Sequence, residues 1–318
     1  MTNTMPDSRR VLAFYKFSPM SNLEATRTQL ELVCERASIK GTILLAEEGV
    51  NGTVVGPTDG LNQLAEDLEA IAGTIEFKWS DLDETNPGFH RLKVKIKPEI
   101  VSFGVPGLDI GNNGTHVDVE RWNELIADPD VVVIDTRNTY EIDIGTFPGA
   151  VSPKTTNFRE FPAWVEQNLS PEQNPKVAMF CTGGIRCEKA SAYMLSQGFD
   201  EVFQLDGGIL KYLEDSSPED NQWEGECFVF DQRVSVDKDL GQGRYKQCFA
   251  CRHPLSEDEL ADPRYEPGVR CPHCCDRVDE ARATRFRQRN KQIKLAAARG
   301  EQHIGKTHQP VSRSPKTD

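Results

Sequence analysis

One cysteine in this 318-residue chain stands in a context that favours chemistry at its thiol. Cys181 ends an apolar run, 177–180, that is typical of a buried strand, and a loop with two glycines separates it from a helical pattern. The glycines allow successive backbone N–H groups to turn toward one point, and the positive end of the helix dipole is aimed there as well. Because such a setting lowers a thiol pKa and holds an anion, Cys181 is predicted to be a nucleophile. The loop around it comprises Thr182, Gly183, Gly184, Ile185 and Arg186.

Two kinds of reaction use a loop of this form: cleavage of a phosphate ester through a phosphocysteine, and sulfur transfer through a persulfide. A second thiol, Cys187, follows Arg186 and is predicted to lie in the first turn of the helix. One interpretation is a resolving thiol that converts a persulfide or sulfenate of Cys181 into a disulfide. The other is a small apolar residue that packs under the loop. Its position alone does not decide between these roles.

The segments around the loop favour sulfur chemistry, because they resemble a rhodanese domain. Residues 131–141 resemble the rhodanese strand that ends in Asp-x-Arg with a later Glu, and 145–150 resemble the Gly-x-x-Pro-Gly-Ala turn. Residues 202–209 resemble the strand and Gly-Gly turn that follow the catalytic helix. The resemblance implies that Cys181 forms a persulfide and that the loop after it supplies the surrounding N–H donors.

Three charged residues upstream of the loop, Asp135, Arg137 and Glu141, are interpreted as structural. An Asp at a strand end beside an Arg usually forms an ion pair that pins a loop. We therefore expect these side chains to hold the site together rather than to take part in its chemistry.

The composition of the chain limits the classes of protein to which it can belong. No run approaches the ~20 apolar residues of a membrane span, and residues 1–10 lack the apolar core of a signal peptide. We therefore expect a cytoplasmic protein without membrane association, and no obligate protein partner is evident. In that compartment the nine cysteines are expected to be catalytic or metal-binding rather than disulfide-bonded.

Two Cys-x2-Cys pairs near the C-terminus have the spacing of a four-thiolate zinc site, with 19 residues between them. The segment between the pairs is polar and contains proline, so it needs a staple to form a core. We predict structural zinc at this site, and the alternative is a redox pair or reduced thiols. Cys275, His253 and His273 are spare or substitute ligands. The predicted ligands are Cys248, Cys251, Cys271 and Cys274.

The charge of the chain is unevenly distributed. Its net charge is −13, yet residues 281–318 contain ten Lys and Arg against two acidic residues, which leaves +8 there and −21 on residues 1–280. A basic tail on an acidic body is a candidate surface for nucleic acid, and a solvated charged helix is the alternative. The segment has good helix formers and ends near Gly300. The candidate RNA-binding residues are Arg282, Arg285, Arg287, Arg289 and Lys291, with Lys294 in the same segment.

The first block of the chain has the order βαββα followed by one or two strands, as judged from its hydrophobic periodicity. This order predicts a ferredoxin-like α+β sheet with helices on one face. Lys93, Lys95 and Lys97 alternate along its last strand and therefore share a face. They are interpreted either as phosphate contacts or as solvated lysines of an edge strand.

The predicted fold class is α/β with three parts and a tail. A ferredoxin-like (acylphosphatase-like) domain is expected over residues 9–104, and a rhodanese-like α/β domain with a parallel sheet over 118–221. A cysteine-rich, zinc-binding-like segment with a basic helix is expected over 222–300, and residues 301–318 are expected to be a disordered tail. In a parallel sheet the Cys181 loop lies at the carboxyl end of a strand, where such sheets place their sites.

This order of domains resembles the bacterial tRNA uridine hydroxylase family of rhodanese-domain proteins. The matching residues lie in the 48–53 turn, the 89–94 approach to the last strand, the 181–187 loop and the paired cysteines. The resemblance implies a tRNA partner, Cys181 as the catalytic cysteine, and oxygen-dependent 5-hydroxylation of the wobble uridine, with molecular oxygen as co-substrate. The sequence contains no facial triad of two His and a carboxylate and no flavin or nicotinamide motif, so the electron source is unexplained.

Two other functions are retained as alternatives. One is a sulfurtransferase that carries a cysteine persulfide, against which the additional domains and the basic tail argue. The other is an RNA-binding or scaffold protein with a vestigial rhodanese, against which the intact Cys181 loop argues.

Overall fold

The computed structural model describes residues 9–82, 86 and 88–300. The chain divides into two compact units, of which the first comprises residues up to 247 together with 253–257, and the second comprises 248–252 together with the residues from 258 on. Each unit is described by itself. The disordered tail predicted for 301–318 lies outside the described residues.

The first domain is a five-stranded sheet in the order β4-β1-β3-β2-β5, in which β5 is parallel to β2 and the other neighbours are antiparallel. Two helices cover one of its faces. This is the ferredoxin-like arrangement predicted from the order of elements, extended by one edge strand. The elements are β1 (Arg9–Phe17), α1 (Leu23–Arg36), β2 (Lys40–Ala46), β3 (Gly49–Pro57), α2 (Thr58–Ala72), β4 (Phe77–Asp81) and β5 (Leu92–Ile96).

Alternation along β1 separates the two faces of this sheet. Leu12 and Phe14 are buried and pack in one apolar cluster with helix residues such as Leu30 and Leu64. The alternate residues of β1, which include Ala13 and Tyr15, point to the opposite face. That face is not covered by α1 or α2, so it is available to line a site.

The central domain contains the predicted parallel sheet, in the order β6-β10-β9-β7. Apolar residues line both faces of β9: Ala178 and Phe180 join one cluster, whereas Val177 and Met179 join the other. This two-sided burial is why the strand is a continuous apolar run. The elements are β6 (Thr115–Val117), α3 (Val119–Ala127), β7 (Val131–Asp135), α4 (Thr139–Ile142), β8 (Gly145–Thr146), α5 (Phe161–Asn168), β9 (Lys176–Phe180), α6 (Ile185–Ser196), β10 (Glu201–Leu205) and α7 (Gly208–Asp215).

Residues 222–247 fall within the first unit rather than with the cysteine cluster. Strand β11 pairs with β8 of the central sheet domain, and the Trp223 ring lies 5.1 Å from the Phe147 ring, edge to face. The paired cysteines themselves lie in the second unit, from Cys248 on. The strands of this region are β11 (Glu224–Gly225), β12 (Cys227–Phe228), β13 (Ser235–Val236), β14 (Lys246–Gln247) and β15 (Pro254–Leu255). Strand β12 pairs with β13, and β14 pairs with β15, in two small antiparallel hairpins.

The second unit contains the four paired cysteines and one long helix. The last two helices of the described chain are α8 (Glu257–Ala261) and α9 (Glu280–Ala298). Helix α9 begins after Asp279, whose carboxylate accepts the Arg282 backbone N–H at 2.7 Å, and it ends just before Gly300, which has a φ of 68°. Among the helices within the described ranges, none has the length and apolar character to cross a membrane.

Candidate active site

Cys181 lies at the carboxyl end of β9, a central strand of the parallel sheet, and is 1% exposed. Its Sγ accepts the Gly184 backbone N–H at 3.1 Å, and α6 begins at the next residue. Gly184 has a φ of 97°, and a Cβ on it would lie 2.8 Å from the Tyr15 hydroxyl. Glycine is therefore required at this position for two reasons, its conformation and its close neighbour. The loop has the donor geometry that its sequence predicted.

Several groups compete to set the protonation of this thiol. Burial raises the pKa of Cys181, but a hydrogen bond from the Cys187 thiol, the Arg186 cation and backbone N–H groups of the loop together outweigh burial and bring the pKa well below its usual range. The thiolate, not the thiol, is the nucleophile. Cys181 is therefore held in its reactive form at neutral pH.

The Arg186 side chain is not a free cation above the thiol, because it is already engaged. Its guanidinium forms two hydrogen bonds of 2.7 Å each with Glu141, in a pair whose side chains are 8% and 0% exposed. Burial raises the pKa of Glu141, but Arg186 more than compensates and lowers it. Arg186 thus contributes its charge to the Cys181 environment while it fixes the start of α6 to α4.

The Asp135–Arg137 ion pair expected from the sequence is present and fully buried, at 2.6 and 2.9 Å. Arg137 also donates to the backbone carbonyls of Glu141 and Gly145. These contacts fix the chain between β7 and β8. Because Glu141 lies within that segment, the pair also supports the partner of Arg186, as the structural interpretation of all three residues requires.

Cys187 lies beneath the loop and is completely buried. Its Sγ is 3.7 Å from the Thr136 Oγ1, and burial followed by the contact with Cys181 raises its pKa well above the usual value. Cys187 is therefore a protonated donor toward the Cys181 thiolate. This geometry is compatible with both roles considered for it, resolution and packing.

A cavity of about 830 Å³ opens above the Cys181 loop. Three parts of the first unit line it: the uncovered face of the first sheet, the central domain around the loop, and the β12–β13 hairpin. Phe230, at the tip of that hairpin, is 55% exposed and its ring packs edge to face on Phe228 at 5.2 Å. Sequence reasoning missed these contributions from outside the central domain, which include Tyr15, Lys78, Phe89, Phe230 and Arg233.

The first domain is fastened directly to the loop and to α6. Lys78 Nζ donates to the Gly183 carbonyl at 2.9 Å, and the Tyr15 hydroxyl donates to Glu188 at 3.1 Å. Lys189 forms ion pairs with Glu48 at 2.8 Å and with Glu99 at 2.9 Å. The first sheet is thus a wall of the site rather than an appended module.

The four cysteines predicted as metal ligands come together in the second unit, and all their sulfur atoms lie within 4.8 Å of one another. The Cys251–Cys271 and Cys271–Cys274 sulfur distances are 3.7 Å, and Cys248–Cys274 is 4.0 Å. Four thiolates at about 2.3 Å from one tetrahedral zinc ion lie roughly 3.8 Å apart. This cluster has the donor set and spacing to hold a metal such as zinc.

The residues that were substitute ligands lie outside this group of four. His273 is hydrogen-bonded to the Glu259 carboxylate, and the Cys275 thiol donates to the Pro272 carbonyl at 3.4 Å. His253 belongs to the first unit.

The candidate RNA-binding residues of α9 differ in their surroundings. Arg287 forms ion pairs of 2.6 Å with Glu266 and Glu280, and Arg289 donates to the Gly268 carbonyl. The guanidinium of Arg282 stacks over the Phe286 ring at 5.5 Å. Helix α9 therefore uses part of its charge internally. The exposed cations on it include Arg285, Lys291 and Lys294.

The lysines of β5 lie on an edge strand of the first sheet. Lys95 and Lys97 are exposed and Lys93 is partly buried. Both interpretations given to them, phosphate contact and solvated edge, are compatible with this position.

Comparison with known proteins gives matches over most of the chain. Residues 9–100 match the model of the UPF0176 acylphosphatase-like domain, and residues 118–215 match that of the rhodanese-like domain. Two solved structures resemble parts of it. A protein of unknown function, a possible tyrosine phosphatase from Rhodopseudomonas palustris, is 21% identical and covers 34% of this chain and 86% of its own, with a TM-score of 0.30. An acylphosphatase from Coxiella burnetii is 14% identical and covers 30% of this chain and 100% of its own, with a TM-score of 0.22.

One curated relative matches almost the whole chain. The tRNA uridine(34) hydroxylase of Mesorhizobium japonicum is 52% identical over 311 residues, which cover 96% of this chain and 100% of the relative. The similarity extends across both matched domains and the cysteine-rich segment. The predicted fold class is confirmed, and the chain belongs to the tRNA uridine(34) hydroxylase family of rhodanese-domain enzymes.

Proposed function

We propose that this protein hydroxylates carbon 5 of uridine 34, the wobble uridine of tRNA, with Cys181 as its nucleophile and molecular oxygen as co-substrate. The observation that carries the proposal is the cavity of about 830 Å³ whose lining includes the Cys181 loop. Sites for small organic groups have volumes of ~300–1,000 Å³. The cavity is therefore large enough for a nucleobase and its sugar.

A uridine of the anticodon loop reaches Cys181 only if it leaves the stack. Enzymes that act on a base extrude it into a pocket and hold it by stacking and by hydrogen bonds to its edge. Phe230 offers an exposed aromatic ring at the cavity, and Arg159, whose side chain is 60% exposed, offers a cation nearby. We assign them to the neighbouring bases and to the phosphate backbone, respectively.

The chemistry assigned to Cys181 is addition of its thiolate to carbon 6 of the uracil ring. A sulfur–carbon bond forms, the bond between carbons 5 and 6 becomes single, and its electron pair moves onto the carbonyl system through carbon 5. Carbon 5 thereby becomes a nucleophile that attacks molecular oxygen, and two electrons from thiol then cleave the O–O bond of the resulting hydroperoxide, which leaves a hydroxyl on carbon 5 and releases water. Later loss of the carbon 5 proton expels the thiolate and restores the ring. The lowered pKa of Cys181 supports the first step, because it supplies the attacking anion.

Of the two roles considered for Cys187, the proposal takes the resolving one. Uridine, molecular oxygen and two thiols balance against 5-hydroxyuridine, water and one disulfide, so Cys181 and Cys187 together contain the reducing equivalents for one turnover. The contact between the two thiols supports this assignment. Without an external thiol, Cys187→Ser is expected not to hydroxylate tRNA, and an added thiol should restore the reaction. Hydroxylation by this variant in the absence of added thiol would assign Cys187 to packing.

We also propose that the four-cysteine cluster holds structural zinc. Its ligands would be Cys248, Cys251, Cys271 and Cys274, whose sulfur spacing fits tetrahedral thiolate coordination. With four protein ligands the ion has no open position, so its contribution would be to stabilise the fold of the second unit. The exposed cations of α9 would then be presented to tRNA from a fixed body, in the cytoplasm where tRNA is used.

Sulfur transfer from a cysteine persulfide remains the alternative reaction of the same loop. The large cavity favours a nucleobase over a small sulfur donor, which needs only the loop itself. The two activities are separated by comparing thiosulfate sulfurtransferase activity with hydroxylation in the same preparation.

The test of the proposed function is complementation of a bacterial strain that lacks 5-hydroxyuridine at position 34. We expect the gene for this protein to restore 5-hydroxyuridine in digests of tRNA analysed by mass spectrometry, and to do so only under aeration. Absence of the modified nucleoside despite full expression would contradict the proposal.

A further inference from the structure

The Cys181 loop depends on the orientation of four successive peptide groups, whose carbonyls are held by different parts of the chain. The Cys181 carbonyl accepts the Ile209 N–H at 2.9 Å, and the Thr182 carbonyl accepts the Leu210 N–H at 3.1 Å. Helix α6 itself fixes the Gly184 carbonyl, which accepts the Cys187 N–H at 2.9 Å. Three of the four peptides are therefore held by backbone groups of the central domain.

The remaining peptide, between Gly183 and Gly184, is held by a side chain of the first domain. Lys78 Nζ, from β4, donates to the Gly183 carbonyl at 2.9 Å. The nitrogen of this same peptide, that of Gly184, donates to Cys181 Sγ at 3.1 Å. In a trans peptide the C=O and N–H point in opposite directions, so Lys78 and the nucleophile lie at the two ends of one planar group.

The peptide between the two glycines has the greatest conformational freedom in the loop, so this contact restricts it most. With no Cβ on either side it can rotate at little steric cost, and a rotated peptide would turn its N–H away from the thiolate and its carbonyl oxygen toward it. An ammonium on the carbonyl also polarises the peptide, which strengthens the hydrogen bond that its N–H donates. The Lys78 side chain is itself fixed, because its Nζ lies 5.6 Å from the centre of the Tyr15 ring.

We propose that Lys78 is a positioning residue for Cys181: it holds the Gly183–Gly184 peptide so that the Gly184 N–H stabilises the thiolate. The first domain, which contains no nucleophile of this site, thereby completes the nucleophile of the central domain. The inference rests on the proposed function only in taking Cys181 as the reacting group, and it can be tested without tRNA.

The test measures the reactivity of Cys181 toward iodoacetamide as a function of pH in the full-length protein, with the labelled peptide quantified by mass spectrometry. A neutral reagent avoids direct attraction to Lys78. In Lys78→Met we expect the midpoint of the pH profile to rise, so that alkylation at pH values below both midpoints slows about tenfold for each pH unit of the rise. Lys78→Arg should restore most of the rate, because it returns both the charge and the donor.

Two controls separate positioning from loss of charge or fold. Arg10→Met removes another cation of the first domain, whose partners are Asp81 and the Trp79 ring, and should leave the midpoint unchanged. The amide proton resonance of Gly184 should lie downfield in the wild type, because it donates to sulfur, and should move upfield in Lys78→Met. If the Met variant fails to fold, Lys78→Leu, which likewise has neither charge nor donor, provides the same comparison.

Either of two results would overturn the inference. One is an unchanged alkylation midpoint in the folded variant. The other is a changed midpoint with an unmoved Gly184 resonance, which would assign the effect to charge acting through space. Should the wild type hydroxylate no tRNA, the proposed function fails while the alkylation profiles still decide the role of Lys78.

Discussion

Two groups of cysteines in this protein use the same thiol in opposite ways. Around Cys181, which lines a cavity, the neighbours are hydrogen-bond donors and a cation, which stabilise one thiolate. Around Cys271 the neighbours are three more sulfur atoms, within 4.8 Å of one another. Donors produce a reactive anion, whereas a set of converging thiols produces a closed site for a cation.

Reactivity follows from what surrounds a thiol, since the two cysteines are similarly buried. Cys181 is 1% exposed and Cys271 is 0% exposed. The first is adjacent to a substrate-sized cavity of about 830 Å³. The second is surrounded by the three other cysteines of its cluster, which are potential co-ligands. A change at one site should therefore leave the other site unaffected.

The largest expected effect is that of Cys181→Ser on hydroxylation. A serine hydroxyl is not ionised at neutral pH, so the variant lacks the attacking anion, and 5-hydroxyuridine formation should fall to background. Metal content and the unfolding transition should match the wild type, since the cluster is in the other unit. Retained modification would remove Cys181 from the chemistry.

The converse change is Cys271→Ser, which should release the metal and unfold the second unit. Thiolate ligation couples metal affinity to folding, so loss of one ligand undoes both. The measurement is elemental analysis together with proteolysis, in which fragments from residues 258–300 should disappear first. Alkylation of Cys181 should be unchanged. Less than half an equivalent of zinc in wild-type protein purified without chelators would argue against the site itself.

A smaller effect is expected from Glu141→Gln, which leaves the buried Arg186 without its charge partner. Breaking such a pair costs about 3–5 kcal/mol. Because the folded-state pKa of Glu141 is lowered, its stabilisation is present above the ordinary carboxyl pKa and is lost as the pH falls through the folded value. The free energy of unfolding should therefore depend less on acid pH in the variant.

The matched control for that variant is Glu124→Gln. Glu124 pairs with Arg121 at 2.6 Å, but both side chains are more than half exposed, so the loss should be under about 1 kcal/mol. Equal destabilisation by the two variants in urea would show that the Glu141–Arg186 pair has no special structural role.

The smallest effect is expected from replacing Arg285, Lys291 and Lys294 by Gln. Each phosphate contact releases counterions, so losing three should reduce the slope of log binding constant against log salt by about 2. Arg36→Gln, an exposed charge on α1, serves as the control and should leave the slope unchanged. Identical slopes for the triple variant and the wild type would show that α9 is a solvated helix.

The Cys181 loop could be predicted from the sequence because its determinants are contiguous. The strand, the two glycines and the helix that follows all lie within 177–196, and local geometry fixes where their N–H groups point. The four-cysteine site could be predicted for the same reason, since the short spacing within each Cys-x2-Cys pair brings its two sulfur atoms to one point.

The rest of the site could not be predicted, because it is assembled from distant segments. Lys78 and Gly183 are 105 positions apart in the sequence, and nothing near either residue indicates that the two are in contact. One signal was present in the first block: Tyr15 lies on the face of β1 opposite the buried Leu12 and Phe14, which marks a large side chain on a face without helices. The pairing of Arg287 with Glu266 is likewise tertiary, so charge counting alone overstated the free cations of α9.

The most direct test of the central claim is a covalent trap with tRNA that contains 5-fluorouridine at position 34. Once carbon 5 has accepted oxygen, it holds fluorine in place of the hydrogen whose loss as a proton would expel the thiolate, so the sulfur–carbon bond at carbon 6 persists. We predict a protein–RNA adduct that survives denaturation, with the nucleotide on the Cys181 peptide, and no adduct from Cys181→Ser. An enzyme that hydroxylates normal tRNA but forms no adduct, or forms it on another residue, would contradict Cys181 as the nucleophile.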